Sequence, residues 1–227
     1  MDRDAQKRAA AAAAVAYVTP GTTVGVGTGS TAAYFIAELA ARRGLVAAAV
    51  ASSEASAAAL RAAGILVVGL DAAASLPLYV DGADEVDPES RLIKGAGGAL
   101  AREKVVASAA EVFVCIVDET KLVERLGAGR EGVPGAGAAV PLAVLPMAAA
   151  FVARRVRSLG GSPTARPGYL TDDGAVVLDV AGLDLSDPDR VEAELDAVPG
   201  VIANGLFTRR RADVVLSGAA EVRESRL

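Results

Sequence analysis

The sequence predicts an α/β protein, in which a parallel sheet with helices on both faces is joined to a smaller α+β domain. Three observations carry this. Helix and strand signals alternate from the start of the 227-residue chain to Val117. A stretch rich in Gly, Ala and Pro, residues 127–139, then breaks the rhythm as a linker or loop does. Beyond it the order of signals becomes β-α-β-β-α-β. Hydrophobic residues make up 52% of the chain and charged residues 22%, enough apolar surface for a core. With aromatics at 4% and no Trp, that core is built mostly of Ala, Val and Leu.

The first signal is an Ala-rich run at residues 9–18 behind Arg3, Lys7 and Arg8, which imitates a secretory leader. Ala is the best helix former but only weakly apolar. Asp2 and Asp4 dilute the positive end, and Pro20-Gly21 stops a helix. The expectation is a first helix of a cytoplasmic protein. No apolar run reaches the ~18 residues of a membrane span. A strand at 23–26, a helix at 32–43 stopped by Gly44, a strand at 45–51, a helix at 53–63 ended by Gly64 and a strand at 65–70 follow. Residues 78–80 lead into an acidic turn, a Gly-rich loop at 95–98 opens a helix at 99–109, and 112–117 is a fully apolar strand. This is a Rossmann-like domain, assigned to residues 1–130 plus 208–227, because a last strand at 213–217 suits a return to the first sheet. Residues 131–207 carry strands at 140–145, 162–166, 175–180 and 201–207 and helices at 147–159 and 188–197. Their order matches a ferredoxin-like α+β unit.

Composition removes several chemistries. The chain has no His, which excludes Ser-His-Asp and Cys-His catalysis and His-ligated metals. The single Cys, Cys115, excludes a disulfide framework and a Cys-built zinc site. An enzyme of this composition must work with carboxylate, Lys or Tyr. A net charge of −5 and a pI near 4.9 make nucleic acid an improbable partner, so a small anion would need a locally positive pocket. Lys occupies only positions 7, 94, 104 and 121 among 23 basic residues. That bias suggests Lys is kept where a compact ammonium is needed.

Three clusters sit at predicted carboxyl ends of strands, where sites of parallel sheets lie. In Gly27-Thr28-Gly29-Ser30-Thr31, a Gly-rich turn aims backbone N–H groups and a helix N-terminus at a phosphate-sized point. A plain capped turn is the simpler alternative. A dinucleotide reading of Gly27-x-Gly29-x-x-Ala32 lacks the acidic residue at the next strand tip. In Asp81-Gly82-Ala83-Asp84-Glu85-Val86-Asp87, two carboxylates three residues apart suit sugar hydroxyls or a hard cation, or form a solvated turn. In Lys94-Gly95-Ala96-Gly97-Gly98, glycines permit close backbone approach, and Glu103 follows in the first turns of the helix. A Lys and a Glu in one pocket supply a cation for an oxyanion and a base for a carbon-bound proton. Alone, Glu103 reads first as an exposed helical carboxylate paired with Arg102 or Lys104.

The strings GVGTGST, SSEAS, YVDGADEVD, LIKGAGGALAREK and DETK, followed by GGSPTARPG, TDDG and PGVIANGLF, resemble the ribose-5-phosphate isomerase type A family over nearly the whole chain. The resemblance implies a metal-independent aldose–ketose isomerase that needs no cofactor, usually a homodimer. It implies Glu103 as proton acceptor, Lys94 as the cation beside a cis-enediolate, and Asp81 and Asp84 on sugar hydroxyls and ring opening. Thr28, Gly29, Ser30, Thr31, Gly82, Ala83, Gly95, Ala96, Gly97 and Lys121 are the implied remaining substrate contacts, with the 28–31 loop and Lys121 mainly on the phosphate end. Lys7 is a further phosphate candidate. Two departures stand out. Ala96 interrupts the family's all-Gly stretch, and Ala143 replaces an acidic residue after a longer Gly-rich insertion. Two rival functions are a non-catalytic sugar-phosphate sensor and acyl transfer from CoA through a glutamate.

Overall fold

The computed structural model describes residues 1–128, 137–218 and 222–226. In chain order the helices are α1 (Arg3–Ala14), α2 (Ser30–Ala41), α3 (Glu54–Ala62), α4 (Leu100–Ala109), α5 (Ala149–Ser158) and α6 (Pro188–Asp196). The strands of the first half are β1 (Thr23–Val26), β2 (Ala48–Ala51), β3 (Leu78–Asp81), β4 (Glu85–Val86), β5 (Leu92–Ile93) and β6 (Val112–Val117). Those of the second half are β7 (Val140–Val144), β8 (Ser162–Ala165), β9 (Val176–Ala181), β10 (Val201–Asn204), β11 (Leu206–Phe207), β12 (Val214–Gly218) and β13 (Val222–Arg226). Helix starts follow local chemistry. Asp2 accepts from the Ala5 N–H, Ser53 from Ser56 and Asp187 from Arg190, with Pro188 in the first helical turn.

The chain forms two compact units. The first comprises Met1–Ala83, Val105–Thr120 and Ala212–Leu227. Its sheet runs β13-β12-β6-β3-β1-β2, with five parallel strands and β13 antiparallel at the edge. The β12 strand does return to this sheet beside β6. Ala10, Ala11 and Ala14 of α1 and Phe35, Ile36 and Leu39 of α2 bury against Val24, Val80, Val114 and Leu216 of the sheet. The Ala face of α1 is therefore core, as small side chains let a helix lie close to strands.

The second unit comprises Asp84–Lys104 and Lys121–Arg211. Its four-stranded sheet runs β10-β7-β9-β8 with every neighbour antiparallel, the ferredoxin-like order of a β-α-β-β-α-β chain. Leu142, Val144, Leu178 and Val180 pack there with Val152 and Val156 of α5 and Val191 and Leu195 of α6. A three-stranded sheet, β11-β5-β4, completes it.

Two sequence expectations change. The predicted strand at 65–70 is a single parallel bridge, Ala49↔Val67, because this stretch is half-exposed beyond β2 and Leu66 faces solvent. The predicted strand at 201–207 divides at Gly205 into β10 and β11, which belong to different sheets. A Cβ at Gly205 would lie 2.4 Å from the Lys94 carbonyl oxygen and 2.6 Å from Pro141 Cδ, so only glycine lets the chain cross there. Beyond Gly218, residues 222–226 supply the edge strand β13. Most of the 127–139 stretch lies outside the described residues.

Candidate active site

In the first unit the turn at residues 27–31 joins β1 to α2, and Asp81 at the end of β3 organises it. Asp81 is fully buried. Its Oδ1 accepts the Thr28 N–H at 3.0 Å and the Gly82 N–H at 2.7 Å, and its Oδ2 accepts the Tyr79 hydroxyl at 2.5 Å. A Cβ on Gly27 would sit 1.8 Å from Asp81 Oδ1, so glycine is what lets the turn close on this carboxylate. Gly29 takes φ +98° and caps α2 without a side-chain hydrogen bond, leaving the helix N-terminus, with its partial positive charge, open to an anion. Lys7 Nζ donates to Ser30 Oγ at 3.1 Å, and Thr28 Oγ1 lies 3.0 Å from Ser52 Oγ. Of the sequence candidates in this turn, Thr28 is thus held by Asp81, and Ser30 meets the weaker candidate Lys7. Gly82 adjoins Thr31 there, whose side chain would lie 3.8 Å from a Cβ added to the glycine, and Ala83 ends this part of the unit.

In the second unit Lys94 follows β5, its N–H bonded to the Gly205 carbonyl at 2.9 Å. Its side chain is buried, with Nζ 3.2 Å from Glu103 Oε2 and 5.6 Å from the centre of the Phe207 ring. Glu103, also buried, sits in the first turn of α4 near the positive end of the helix. Lys104, the next residue, points elsewhere. Its Nζ donates to Glu192 Oε1 and to the Leu206 carbonyl, both at 2.6 Å, and lies 4.9 Å from the centre of the same Phe207 ring. Glu103 is thus a buried residue beside Lys94, while Lys104 is engaged by Glu192 and the Leu206 carbonyl. Burial pushes the Glu192 carboxyl up, but the Lys104 charge and the hydrogen bonds from Lys104 and Thr208 outweigh it and hold the group below its ordinary range.

Between Lys94 and α4, residues 95–98 form a turn with positive φ at Gly95 and Gly98, closed by the Gly98 N–H on the Gly95 carbonyl at 2.9 Å. The Ala96 N–H donates to Asp84 Oδ2 at 2.9 Å, so Asp84, Gly95, Ala96 and Gly97 form one group. Ala96 is exposed, so its methyl leaves this backbone bond intact. Lys121 lies half-buried in the one-turn segment Glu119–Lys121 and is assigned to the second unit. The acidic motif separates into distinct tasks. Glu85 accepts from Gly127 and Ala138, and Asp87 closes a turn through the Glu89 and Arg91 N–H groups and the Arg91 side chain. Sequence reasoning gave no separate role to Glu85, Tyr79, Phe207 or Glu192. Each is an ordinary core or turn residue until its partner is known.

The family model for ribose 5-phosphate isomerase A (phosphoriboisomerase A) matches residues 48–221. The chain is 52% identical over 220 residues to the ribose-5-phosphate isomerase A of Acidithiobacillus ferrooxidans, covering 97% of this chain and 96% of that one. The chain belongs to this family. A crystal structure of ribose 5 phosphate isomerase A from Neisseria gonorrhoeae superposes with a TM-score of 0.93 at 38% identity, covering 99% of this chain and 97% of that one. A D-ribose-5-phosphate isomerase in complex with phospho-erythronic acid gives 0.92 at 33% identity over the whole of both chains. Against this background the departure at Ala143 is a packing change. The residue is fully buried in β7 within a small cluster with Leu100, Ala175 and Ala203, where an acidic side chain would need a partner of its own. Among the described residues, no helix is long and apolar enough to cross a membrane.

Proposed function

We propose that the chain interconverts D-ribose 5-phosphate and D-ribulose 5-phosphate through a cis-enediolate, with Glu103 as the general base. One observation carries this reading. In a family that acts on this sugar, the buried Glu103 carboxylate stands 3.2 Å from the Lys94 ammonium. Glu103 takes the proton from C2 of the open-chain aldose, and the C–H electron pair forms the C1–C2 double bond as charge moves onto O1. The proton returns to C1, the O2 proton passes to O1, and C2 becomes the carbonyl. Lys94 steadies the transient oxyanion.

Asp84, Gly95, Ala96 and Gly97 hold the sugar hydroxyls, and Asp84 assists ring opening. Asp81, with Gly82 and Ala83, shares that task chiefly by shaping the loop at 28–31. Thr28, Gly29, Ser30, Thr31 and Lys121, with Lys7, take the phosphate. The phospho-erythronic acid bound by a structural relative supports the pairing of a planar carboxylate, which resembles an enediolate, with a phosphate. The chemistry needs no metal or organic cofactor, and we place it in a cytoplasmic homodimer.

The test is an isomerase assay on the pure protein with and without EDTA. Ribulose 5-phosphate should form equally in both. A silent protein that yields a hydroxylamine-trapped acyl adduct after incubation with acyl-CoA would favour acyl transfer. A silent protein that binds the sugar phosphate without turnover would favour a sensor.

A further inference from the structure

Residues 166 and 169 grip the loop that follows Lys94. Arg166 follows β8 and is tied to β9 through its own N–H on the Val177 carbonyl at 3.0 Å. Its guanidinium makes a two-pronged ion pair with Asp179, Nε to Oδ2 at 2.7 Å and Nη2 to Oδ1 at 2.6 Å. The Asp179 hydrogen bonds and charge outweigh burial and hold the guanidinium proton more firmly than usual. The same guanidinium donates from Nη1 to the Ala96 carbonyl at 2.9 Å and from Nη2 to the Gly95 carbonyl at 3.2 Å. Tyr169, whose ring centre lies 5.7 Å from the Arg166 Cζ, donates its hydroxyl to the Gly97 carbonyl at 3.0 Å. Three successive loop carbonyls are thus drawn to one side.

The consequence follows from peptide geometry. In a planar trans peptide the N–H points opposite to the C=O. With the Gly95 carbonyl on Arg166, the Ala96 N–H faces the other way, and there it meets Asp84 Oδ2 at 2.9 Å. With the Ala96 carbonyl also on Arg166, the Gly97 N–H points away from the guanidinium.

We propose that Arg166, fixed by Asp179, is the positioning residue that sets the backbone of Gly95–Gly97 and, through the Ala96 N–H, aims the Asp84 carboxylate at the sugar. This rests on the reading of Asp84 and the loop as substrate contacts. A planar fork suits the task, because a lysine ammonium could not grip Asp179 with two prongs and two carbonyls at once.

The test compares the full-length wild type with Arg166→Ala and Arg166→Lys. Amide hydrogen exchange at residues 95–98, followed by NMR, reads the loop directly. Steady-state kinetics on ribose 5-phosphate read its use. In both variants exchange should quicken by about tenfold or more, and kcat/KM should fall on the order of 10- to 100-fold, mostly through KM. Millimolar guanidinium should restore Arg166→Ala, and methylammonium should not. Unchanged exchange in both variants overturns the clamp. Faster exchange with unaltered kinetics overturns its functional part, as does a loss that guanidinium leaves uncorrected. If Arg166→Ala fails to fold, Tyr169→Phe serves for both readouts, and the Gly98 N–H, which shares its peptide with the Gly97 carbonyl, should respond first. A wild type silent on ribose 5-phosphate removes the proposed activity instead, and the exchange measurement still decides the clamp.

Discussion

Lys94 Nζ lies 3.2 Å from Glu103 Oε2, with both side chains almost wholly withdrawn from water. A buried pair of this kind is held by mutual attraction against a large desolvation penalty, so its two halves are not independently removable. Lys94→Met should cost about 3–5 kcal/mol of stability by leaving a buried carboxylate without its cation. Urea unfolding of the variant checks this, and a loss under about 1 kcal/mol would mean that other contacts already compensate Glu103.

Glu192 gives the pH prediction. Its folded carboxyl titrates below the ordinary value of 4.5, so its stabilising contribution is complete above that value and is lost as pH falls through the depressed folded value. The difference in urea midpoint between wild type and Glu192→Gln should stay constant from about pH 7 to 5 and shrink at more acidic pH. A difference that grows on acidification would reverse the assigned sign.

The turn at Gly27 has no room for a side chain, since a Cβ would overlap the Asp81 carboxylate. Gly27→Ala should destabilise the fold by about 1–3 kcal/mol and displace the Thr28 N–H from Asp81. If this loop holds the phosphate, KM should rise more than kcat falls. Equilibrium unfolding and steady-state kinetics measure the two effects separately. Wild-type values in both would show that the carboxylate can move aside at no cost.

Much of this was legible from residue order. The alternation of apolar runs with Gly stops gave the parallel sheet, and the β-α-β-β-α-β order gave the second sheet, because local patterning and short connections constrain both. What escaped has a physical cause in each case. The apolar stretch at 65–70 has strand composition, but it lies beyond β2 with half of its surface in water. The break at Gly205 depends on a backbone crossing by Lys94 and Pro141, contacts distant in sequence. The partner of Glu103 could not be chosen among Arg102, Lys104 and Lys94 without knowing that Lys104 is occupied by Glu192 and Leu206. Arg166 looked like one of many arginines, because its role lies in backbone carbonyls 70 and 71 residues away.

The central claim is that Glu103 moves the proton between C2 and C1. Its most direct test is kcat for ribose 5-phosphate in Glu103→Gln, alongside a thermal melt showing a folded protein. The account predicts a fall on the order of 10²- to 10⁴-fold, the usual contribution of a positioned base. A folded variant that turns over at close to the wild-type rate would contradict it.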